Sequence, residues 1–462
     1  MATNKSSTSM HTTGLVPRRA TNPLYNALAC VLLLAACPLH AQTLTSEDNT
    51  PETADTKNSV PVSDDTSPVR FQLSGFGTLG LIYTDAKDLR FVRPSVNHFS
   101  RDNPDSGPDT VIGVQANLSL GQRAALVVQG ISRKNTLNNY QPHATLAFVS
   151  YAIAPYLTVR AGRLRMPFFM LSDTLDINYA NPWIRPSTEI YSLHPFNDLD
   201  GADILLSNNF GQWSVELRVF LGSSSADIYQ GGKGRLTQKS EPAGVTASIT
   251  NGKLTLFAAH GSGALSINWK DEGFQNLSSG LLAYDGLTGG NTGARILQDL
   301  SGDEGRGKVS SAAVQWDDTN HLFIAQYGRL TTTRYTPNAY AWDVTVGRRF
   351  GSLMPYFTYA RHKANGKITS VTPTATGFPP FDEAIQKAIQ DFTASRTLAQ
   401  KRATLGLRWD FYRNTAFKLE YSRTHIDRNS WGSFSPTTID LTNPPMGGRH
   451  VNTIGASIDV TF

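Results

Sequence analysis

The last ten residues of the chain alternate strictly between apolar and polar side chains. One parity is apolar and consists of Ile454, Ala456, Ile458, Val460 and Phe462. The other parity consists of Thr453, Gly455, Ser457, Asp459 and Thr461. Successive side chains of a β-strand point to opposite faces, and about ten residues of strand cross a bilayer. The pattern therefore predicts a membrane-spanning strand whose even positions face lipid.

The N-terminal segment, residues 1–41, has the composition of a signal peptide. Arg18 and Arg19 precede an apolar run at residues 27–36, and a small residue, Ala41, ends the segment. The run is too short for a spanning helix, so we expect an export signal cleaved after Ala41. The alternative is a lipoprotein signal, because Leu-Ala-Ala precedes Cys37 and would leave that cysteine as a lipidated terminus.

Both cysteines, Cys30 and Cys37, lie in this leader. Cleavage after Ala41 leaves none, which excludes disulfides, thiolate catalysis and cysteine metal sites from the mature chain. The leader carries three positive charges and no negative one, so the net charge of +5 becomes +5 − 3 = +2. The basicity belongs largely to the leader, and nucleic-acid binding is not predicted.

The rest of the chain is predicted to form one transmembrane β-barrel. No further apolar run is long enough for a spanning helix, and a closed barrel is the other structure that leaves no backbone group unpaired in lipid. Residues 42–69 are rich in Thr, Ser, Asp and Pro and are expected to be a flexible periplasmic segment before the barrel, residues 70–462. Sixteen segments alternate in polarity: 70–84, 110–120, 123–133, 143–153, 157–166, 201–207, 212–222, 243–250, 253–262, 308–316, 321–331, 339–349, 353–363, 402–411, 416–426 and 451–462.

The connections between these segments alternate in length. Tight turns such as Asn251-Gly252 carry the residues that hairpins favour. Between them fall five long connections: 85–108, 167–200, 263–307, 364–400 and 427–450. Bacterial barrels have short periplasmic turns and long extracellular loops, so the long connections are predicted to face outward from the cell.

One long connection contains a helical pattern. Ile385, Ile389 and Phe392 recur at helical spacing after two prolines, Pro379 and Pro380. The pattern predicts a short amphipathic helix over residues 381–392. We expect this helix to pack loops together over the mouth of the barrel.

Several segments separate apolar from charged residues by parity. Leu217, Val219 and Leu221 alternate with Glu216 and Arg218, and similar patterns recur at 342–349, 402–411 and 416–422. A charge facing lipid at mid-depth costs about 2–4 kcal/mol, so the charged parity is predicted to face the interior. A barrel of sixteen strands is too wide for its own side chains to fill, so a water-filled pore is predicted.

Over residues 70–462 the chain resembles Gram-negative outer-membrane porins in strand number, loop alternation and the C-terminal stretch 455–462. The resemblance implies a homotrimer in outer-membrane lipid that passes small hydrophilic solutes and ions by passive diffusion. It also implies that the loop after the fifth strand, residues 167–200, folds into the lumen and narrows it. The acidic tip sequence of the best-known porins is not reproduced there, and the stretches 162–167 and 181–186 resemble a less characterised group of porin-like proteins.

Charged residues of the fifth strand and this loop are the candidate pore constriction. They are Arg160, Arg163, Arg165, Asp173, Asp176, Arg185, Glu189, Asp198 and Asp200. Arg160 and Arg163 have opposite parities, and a β-bulge at Gly162 is predicted to turn all three arginines of the strand toward water. Facing carboxylates would then set up a transverse field that orients solutes. The alternative is that the carboxylates are solvated and the arginines hold the loop to the wall.

No catalytic, cofactor or metal constellation is predicted. The histidines beyond the leader are His98, His143, His194, His260, His321, His362, His425 and His450. They lack metal-ligand spacing and a nucleophile-elbow context, so we expect no enzyme. The main alternative to a general porin is a selective channel for phosphate or small carboxylates with the arginines as anion pathway. A barrel enzyme is less favoured, and a plugged transporter would need a plug domain and more strands.

Overall fold

The computed structural model describes residues 69–93, 102–135, 138–229, 235–268, 272–437 and 447–462. The predicted signal peptide, the segment 42–68 and His98 lie outside these ranges. The strands are β1 Val69–Thr84, β2 Leu89–Phe91, β3 Val111–Leu120, β4 Ala124–Arg133, β5 His143–Ala154, β6 Leu157–Arg165, β7 Asp198–Phe210, β8 Trp213–Tyr229, β9 Arg235–Thr250, β10 Leu254–Asn268, β11 Gly305–Asp317, β12 His321–Thr332, β13 Asn338–Arg348, β14 Leu353–Asn365, β15 Gln400–Tyr412, β16 Thr415–Ile426, β17 Phe434–Pro436 and β18 Arg449–Thr461. The helices are α1 Thr188–Tyr191, α2 Glu272–Thr288, α3 Thr292–Leu300 and α4 Pro379–Ser395, with a 3₁₀ turn at Asn178–Ala180.

Sixteen of these strands close into one antiparallel barrel, which confirms the predicted fold and strand number. Each pairs with its neighbours along the chain, and β1 pairs with β18 from Phe76↔Thr461 to Thr84↔Thr453 to complete the ring. The short strands β2 and β17 form a separate two-stranded sheet between two long loops. The structure extends several predicted strands, most of all β8, β9 and β10, beyond the predicted ends at the long-loop side.

The two faces of the barrel wall have the predicted polarity. On β18, Thr453, Ser457 and Asp459 are buried in the interior, whereas Ile454 and Ile458 are 49% and 39% exposed on the outside. Leu217, Val219 and Leu221 of β8 are likewise exposed, and Arg218 between them is buried. The apolar outer face and polar inner face follow from the period-2 alternation that the sequence shows.

The C-terminal aromatic residue seals the junction between the first and last strands. The backbone nitrogen of Phe462 donates to the carbonyl oxygen of Gly75 at 2.9 Å, and the Gly75 nitrogen donates back at 2.7 Å. The Phe462 ring covers Gly75 so closely that a Cβ atom there would lie 2.4 Å from the ring. Pairing of the first strand with the last closes the barrel and removes the unpaired edge that an open sheet would present to lipid.

Helices lie in three of the long loops within the described ranges. The predicted helix is confirmed as α4, with Ile385 and Phe392 buried against Leu277 and Leu281 of α2. The helices α2 and α3 were not predicted, because their apolar residues lie in a region assigned to a loop by the strand count alone. Of the helices in the described ranges, none is long and apolar enough to cross a membrane.

Candidate functional site in the barrel interior

Residues 166–197, which connect β6 to β7 and are called the inner loop below, run across the barrel interior. The indole nitrogen of Trp183 donates to Thr358 Oγ1 at 3.0 Å and to Thr345 Oγ1 at 3.2 Å. Thr358 lies on β14, eight positions from β6 in the ring of sixteen strands. The inner loop therefore reaches the wall opposite the strand from which it starts.

Inward-facing cations of the far wall bind the backbone of the inner loop. Lys418 of β16 is fully buried, and its Nζ donates to the carbonyl oxygens of Asn178 at 2.6 Å and Trp183 at 2.8 Å. The same Nζ lies 2.8 Å from a carboxylate oxygen of Asp459 on β18. Arg408 of β15 donates to two further loop carbonyls. A buried ammonium needs such partners, so Lys418 fixes the position of the loop rather than facing water.

On the near wall, Asp176 of the inner loop is the centre of a buried ion cluster. It accepts hydrogen bonds from Arg133 of β4 at 2.5 Å and from Arg165 of β6 at 2.6 Å. Burial alone would raise the pKa of Asp176, but the two guanidinium groups outweigh burial and hold the pKa well below its ordinary value. The carboxylate therefore stays charged and joins two strands of the wall to the loop.

The other charged residues of the inner loop tip are also paired. Glu189 in α1 is fully buried, with its carboxylate 3.0 Å from Arg402 of β15. Arg185 forms a bidentate pair with Asp109, in which Nε donates at 2.7 Å. The predicted constriction residues Arg185 and Glu189 are thus buried inside the barrel, where Arg185 contacts Asp109 just before β3 and Glu189 contacts Arg402 of β15.

The predicted β-bulge at Gly162 is wrong. The pairing of β6 with both β5 and β7 continues through Gly162 without a register shift, although Gly162 has a φ of 130°. A Cβ atom at this position would lie 2.3 Å from the carbonyl oxygen of Ala147, so glycine is required by a close backbone approach. The backbone register of β6 is therefore unbroken at Gly162, although Arg165 at the end of the strand, with the same parity as Arg163, is buried against Asp176 of the inner loop.

As a consequence, the arginines of β6 do not share one surface. Arg160 is buried in the interior and pairs with Asp203 of β7 at 2.9 Å and 2.5 Å. Arg163 has the opposite parity and pairs with Asp200, and these two side chains are 37% and 49% exposed. Because Arg163 shares the parity of the outward-facing Ala161, it does not face the lumen as predicted.

Two predicted carboxylates occupy intermediate positions. Asp173 of the inner loop lies 3.6 Å from Arg218 of β8, and Asp198 lies 3.4 Å from Arg165. Their side chains are 30% and 26% exposed. The acidic residues are thus interleaved with the arginines and do not form a separate face opposite them.

Apolar side chains of the inner loop fill part of the interior that was predicted to hold water. Phe168, Phe169 and Leu193 pack against lumen-facing apolar residues of the wall between β4 and β13. Inward glycines make room for them, since a Cβ at Gly261 would lie 2.7 Å from the Phe168 ring and one at Gly328 would lie 2.5 Å from Leu193. At the level of the inner loop, protein occupies much of the space that the strands enclose.

Several further charged residues take part in the interior contacts and were not predicted as site residues. They are Asp109, Arg133, Asp203, Arg218, Arg402, Lys418 and Asp459. Most of them have inward parity within predicted strands, which is the signal that marks them, but parity does not identify a partner across the lumen. Within the described ranges, no group of three histidine, cysteine or carboxylate side chains is placed to hold a metal ion.

Comparisons with known proteins give similarities at low sequence identity. No protein-family model matches the chain, and no curated protein is similar to it. Among solved structures, OmpF of Salmonella typhi is 12% identical with a TM-score of 0.48, covering 86% of this chain and 98% of that one. The anion-selective porin of Comamonas acidovorans is 10% identical with a TM-score of 0.48, covering 85% and 100%. The outer-membrane channel DcaP of Acinetobacter baumannii is 12% identical with a TM-score of 0.48, covering 87% and 100%.

The strand pairing establishes the barrel independently of these likenesses. Sixteen antiparallel strands close on themselves, with apolar side chains outward and polar side chains inward. This is the arrangement by which strands span an outer membrane, because lipid contacts the apolar face and every strand is paired on both sides. The chain is an outer-membrane β-barrel.

Proposed function

We propose that this protein is a channel through which small hydrophilic solutes and ions diffuse passively across the outer membrane. The observation that carries the proposal is the closed ring of sixteen strands with polar and charged side chains on its inner face. A ring of this size encloses more space than its own wall residues fill. A polar inner face is of use only where water or polar solutes meet it.

We further propose that the inner loop is the constriction and that the width of the path depends on where the loop is held. The contacts of Trp183 with Thr358 and Lys418 of the far wall, and of Asp176 with the near wall, support this role. The loop narrows the path in this proposal, and the predicted constriction residues act chiefly by fastening it.

Weak ion selectivity follows from the pairing of these charges. An anion pathway needs guanidinium groups that are free to meet a passing anion, whereas Arg160, Arg165 and Arg185 each contact a carboxylate. A paired arginine contributes little net field at a distance. We therefore favour a general channel over one selective for phosphate or carboxylates, and we expect a homotrimer, as the resemblance to porins implies.

The test is a planar-bilayer recording of the purified protein under a tenfold KCl gradient. We expect discrete current steps and a reversal potential far below the limit of about 59 mV for perfect selectivity. A potential near that limit in the anion direction would favour the selective channel instead. A protein that inserts and yet gives no steps, with a heat-denatured sample as control, would refute the channel.

A further inference from the structure

A cavity of about 250 Å³ lies on the long-loop side of the inner loop. Its floor is formed by residues 192–196 and Phe168 of the inner loop, and its side by the long-loop ends of β9 to β12. Residues 395–398 after α4 and residues 431–435 complete the lining. A solute that enters from the long-loop side meets this cavity before it meets the constriction.

The lining of the cavity is almost free of charge. Among its described residues the lining has no carboxylate and no lysine, and its one guanidinium belongs to Arg396. That group lies 3.4 Å from the centre of the Phe392 ring and donates to the Phe392 carbonyl oxygen at 3.1 Å. Burial lowers the pKa of the His194 imidazole to about 4, so this ring is neutral at neutral pH. A cation would lose hydration here without gaining a partner of opposite charge, and an anion would meet only the Arg396 guanidinium, which already contacts the Phe392 and Tyr335 rings and the Phe392 carbonyl oxygen.

Aromatic rings and hydroxyl groups make up the chemistry of the lining. The rings of Phe168, Phe196, Trp431 and Phe434 border the cavity together with several serine and threonine side chains. Ser435 is the informative one, because it is 4% exposed and its Oγ has no hydrogen-bond partner among the described residues. A buried hydroxyl left unpaired costs about 1–3 kcal/mol, so a polar group of a solute, or a water molecule, that pairs with it is stabilised.

The volume limits the size of that partner. A cavity of about 150 Å³ lined by apolar side chains admits benzene. The present cavity, at about 250 Å³, has room for a single ring with a polar substituent. The aromatic side chains of the lining can pack against the apolar face of such a ring, and the Ser435 hydroxyl can form a hydrogen bond with its polar substituent.

We propose that this cavity binds a small uncharged ring compound with an apolar face and one hydrogen-bonding group, which contacts Ser435. The proposal rests on the proposed function in that it names the class of solute held before passage. Binding itself does not require conduction, so the two are measured separately.

The probes are benzamide and benzoate, which have nearly the same shape and differ in charge. Titration calorimetry of the full-length protein in detergent is expected to show saturable benzamide binding and benzoate binding at least tenfold weaker. Equal or tighter binding of benzoate would overturn the proposed ligand class. Absence of benzamide binding would overturn the site.

Two glycine-to-leucine variants test whether benzamide binds in this cavity. Gly307 lines the cavity, and a Cβ atom there would meet nothing within 4 Å, so the side chain of Gly307→Leu enters the cavity without a backbone clash. We expect at least a tenfold loss of benzamide affinity. Gly286→Leu on α2, where a Cβ also meets nothing within 4 Å, is the matched control and should bind as the unmodified protein does. Unchanged binding by Gly307→Leu would place benzamide elsewhere and contradict the proposal.

The hydroxyl and the channel are tested independently. Ser435→Ala should weaken benzamide by a few-fold and leave the single-channel KCl conductance unchanged, and an unchanged affinity would remove Ser435 from the site. A protein that binds benzamide but does not conduct would refute the proposed channel and keep the site. A protein that conducts without binding benzamide would refute the proposed binding site and leave the proposed channel standing.

Discussion

Replacing Asp176 by asparagine tests whether buried ion pairs hold the inner loop in place. Asp176, Arg133 and Arg165 have side chains that are 2%, 7% and 3% exposed, so the substitution leaves two buried guanidinium groups short of one carboxylate. Removing one partner of a buried ion pair costs about 3–5 kcal/mol. Since 1.4 kcal/mol is a factor of ten, the equilibrium shifts toward a released loop by about two to four orders of magnitude.

Single-channel recording in KCl is the assay. We expect Asp176→Asn to give a larger mean conductance with frequent fluctuations, because a released loop both opens and re-enters the water path. The matched control is Asp200→Asn, which removes the partner of Arg163 from an exposed pair on the outer face. Exposed pairs contribute about 0–1 kcal/mol, so this variant should conduct like the unmodified protein.

Two results would refute the reasoning. Unchanged current steps and noise in Asp176→Asn would show that the carboxylate does not fasten the loop. A shift of the reversal potential with no change in noise would show that Asp176 acts on passing ions directly, as the transverse-field hypothesis supposes.

Three further predictions concern the same structure. Trp183→Phe removes the donor to Thr358, and because a lost hydrogen bond costs about 1 kcal/mol, the conductance should change in the same sense as in Asp176→Asn but less. The current fluctuations that mark a released loop should not increase between pH 7 and about pH 4. The depressed pKa of Asp176 keeps its carboxylate charged and its stabilising contribution intact until the pH falls through the lower folded value. An increase in these fluctuations near pH 4 would contradict this. Gly75→Ala should lower the unfolding temperature in heat-modifiability gels, because its Cβ would lie 2.4 Å from the C-terminal aromatic ring, whereas Gly77→Ala, with 3.5 Å to its nearest neighbour, should not.

The barrel was predictable because lipid imposes one rule on every strand. Ile454 and Ile458 face outward and Ser457 and Asp459 inward, as the alternation in the sequence requires. Strand number and loop placement follow from the same alternation and from turns such as Asn251-Gly252. The helix α4 was predictable for a similar reason, because its apolar stripe has a period of its own.

The arrangement of the interior was not predictable in the same way. Parity places Arg160 inside, but its partner Asp203 lies 43 positions away and is brought close by the β6–β7 register. Lys418 and Trp183 are farther apart still, at 235 positions. Pairing across a lumen depends on loop conformation, which has no period in the sequence. The error at Gly162 has a related cause, because a close backbone approach and a bulge both call for glycine.

The space around lumen-facing glycines differs between the part of the barrel interior that protein fills and the part that is open. Gly261 and Gly328 have no room for a Cβ because side chains of the inner loop press against them. Gly307, also inward, has open space where a Cβ would be and borders the cavity. Strand parity marks all three as lumen-facing, and only the packing separates them. The inner loop thus divides one polar lumen into a packed zone and an open zone on its long-loop side, and in the proposed channel the packed zone fixes the path and the open zone holds a solute.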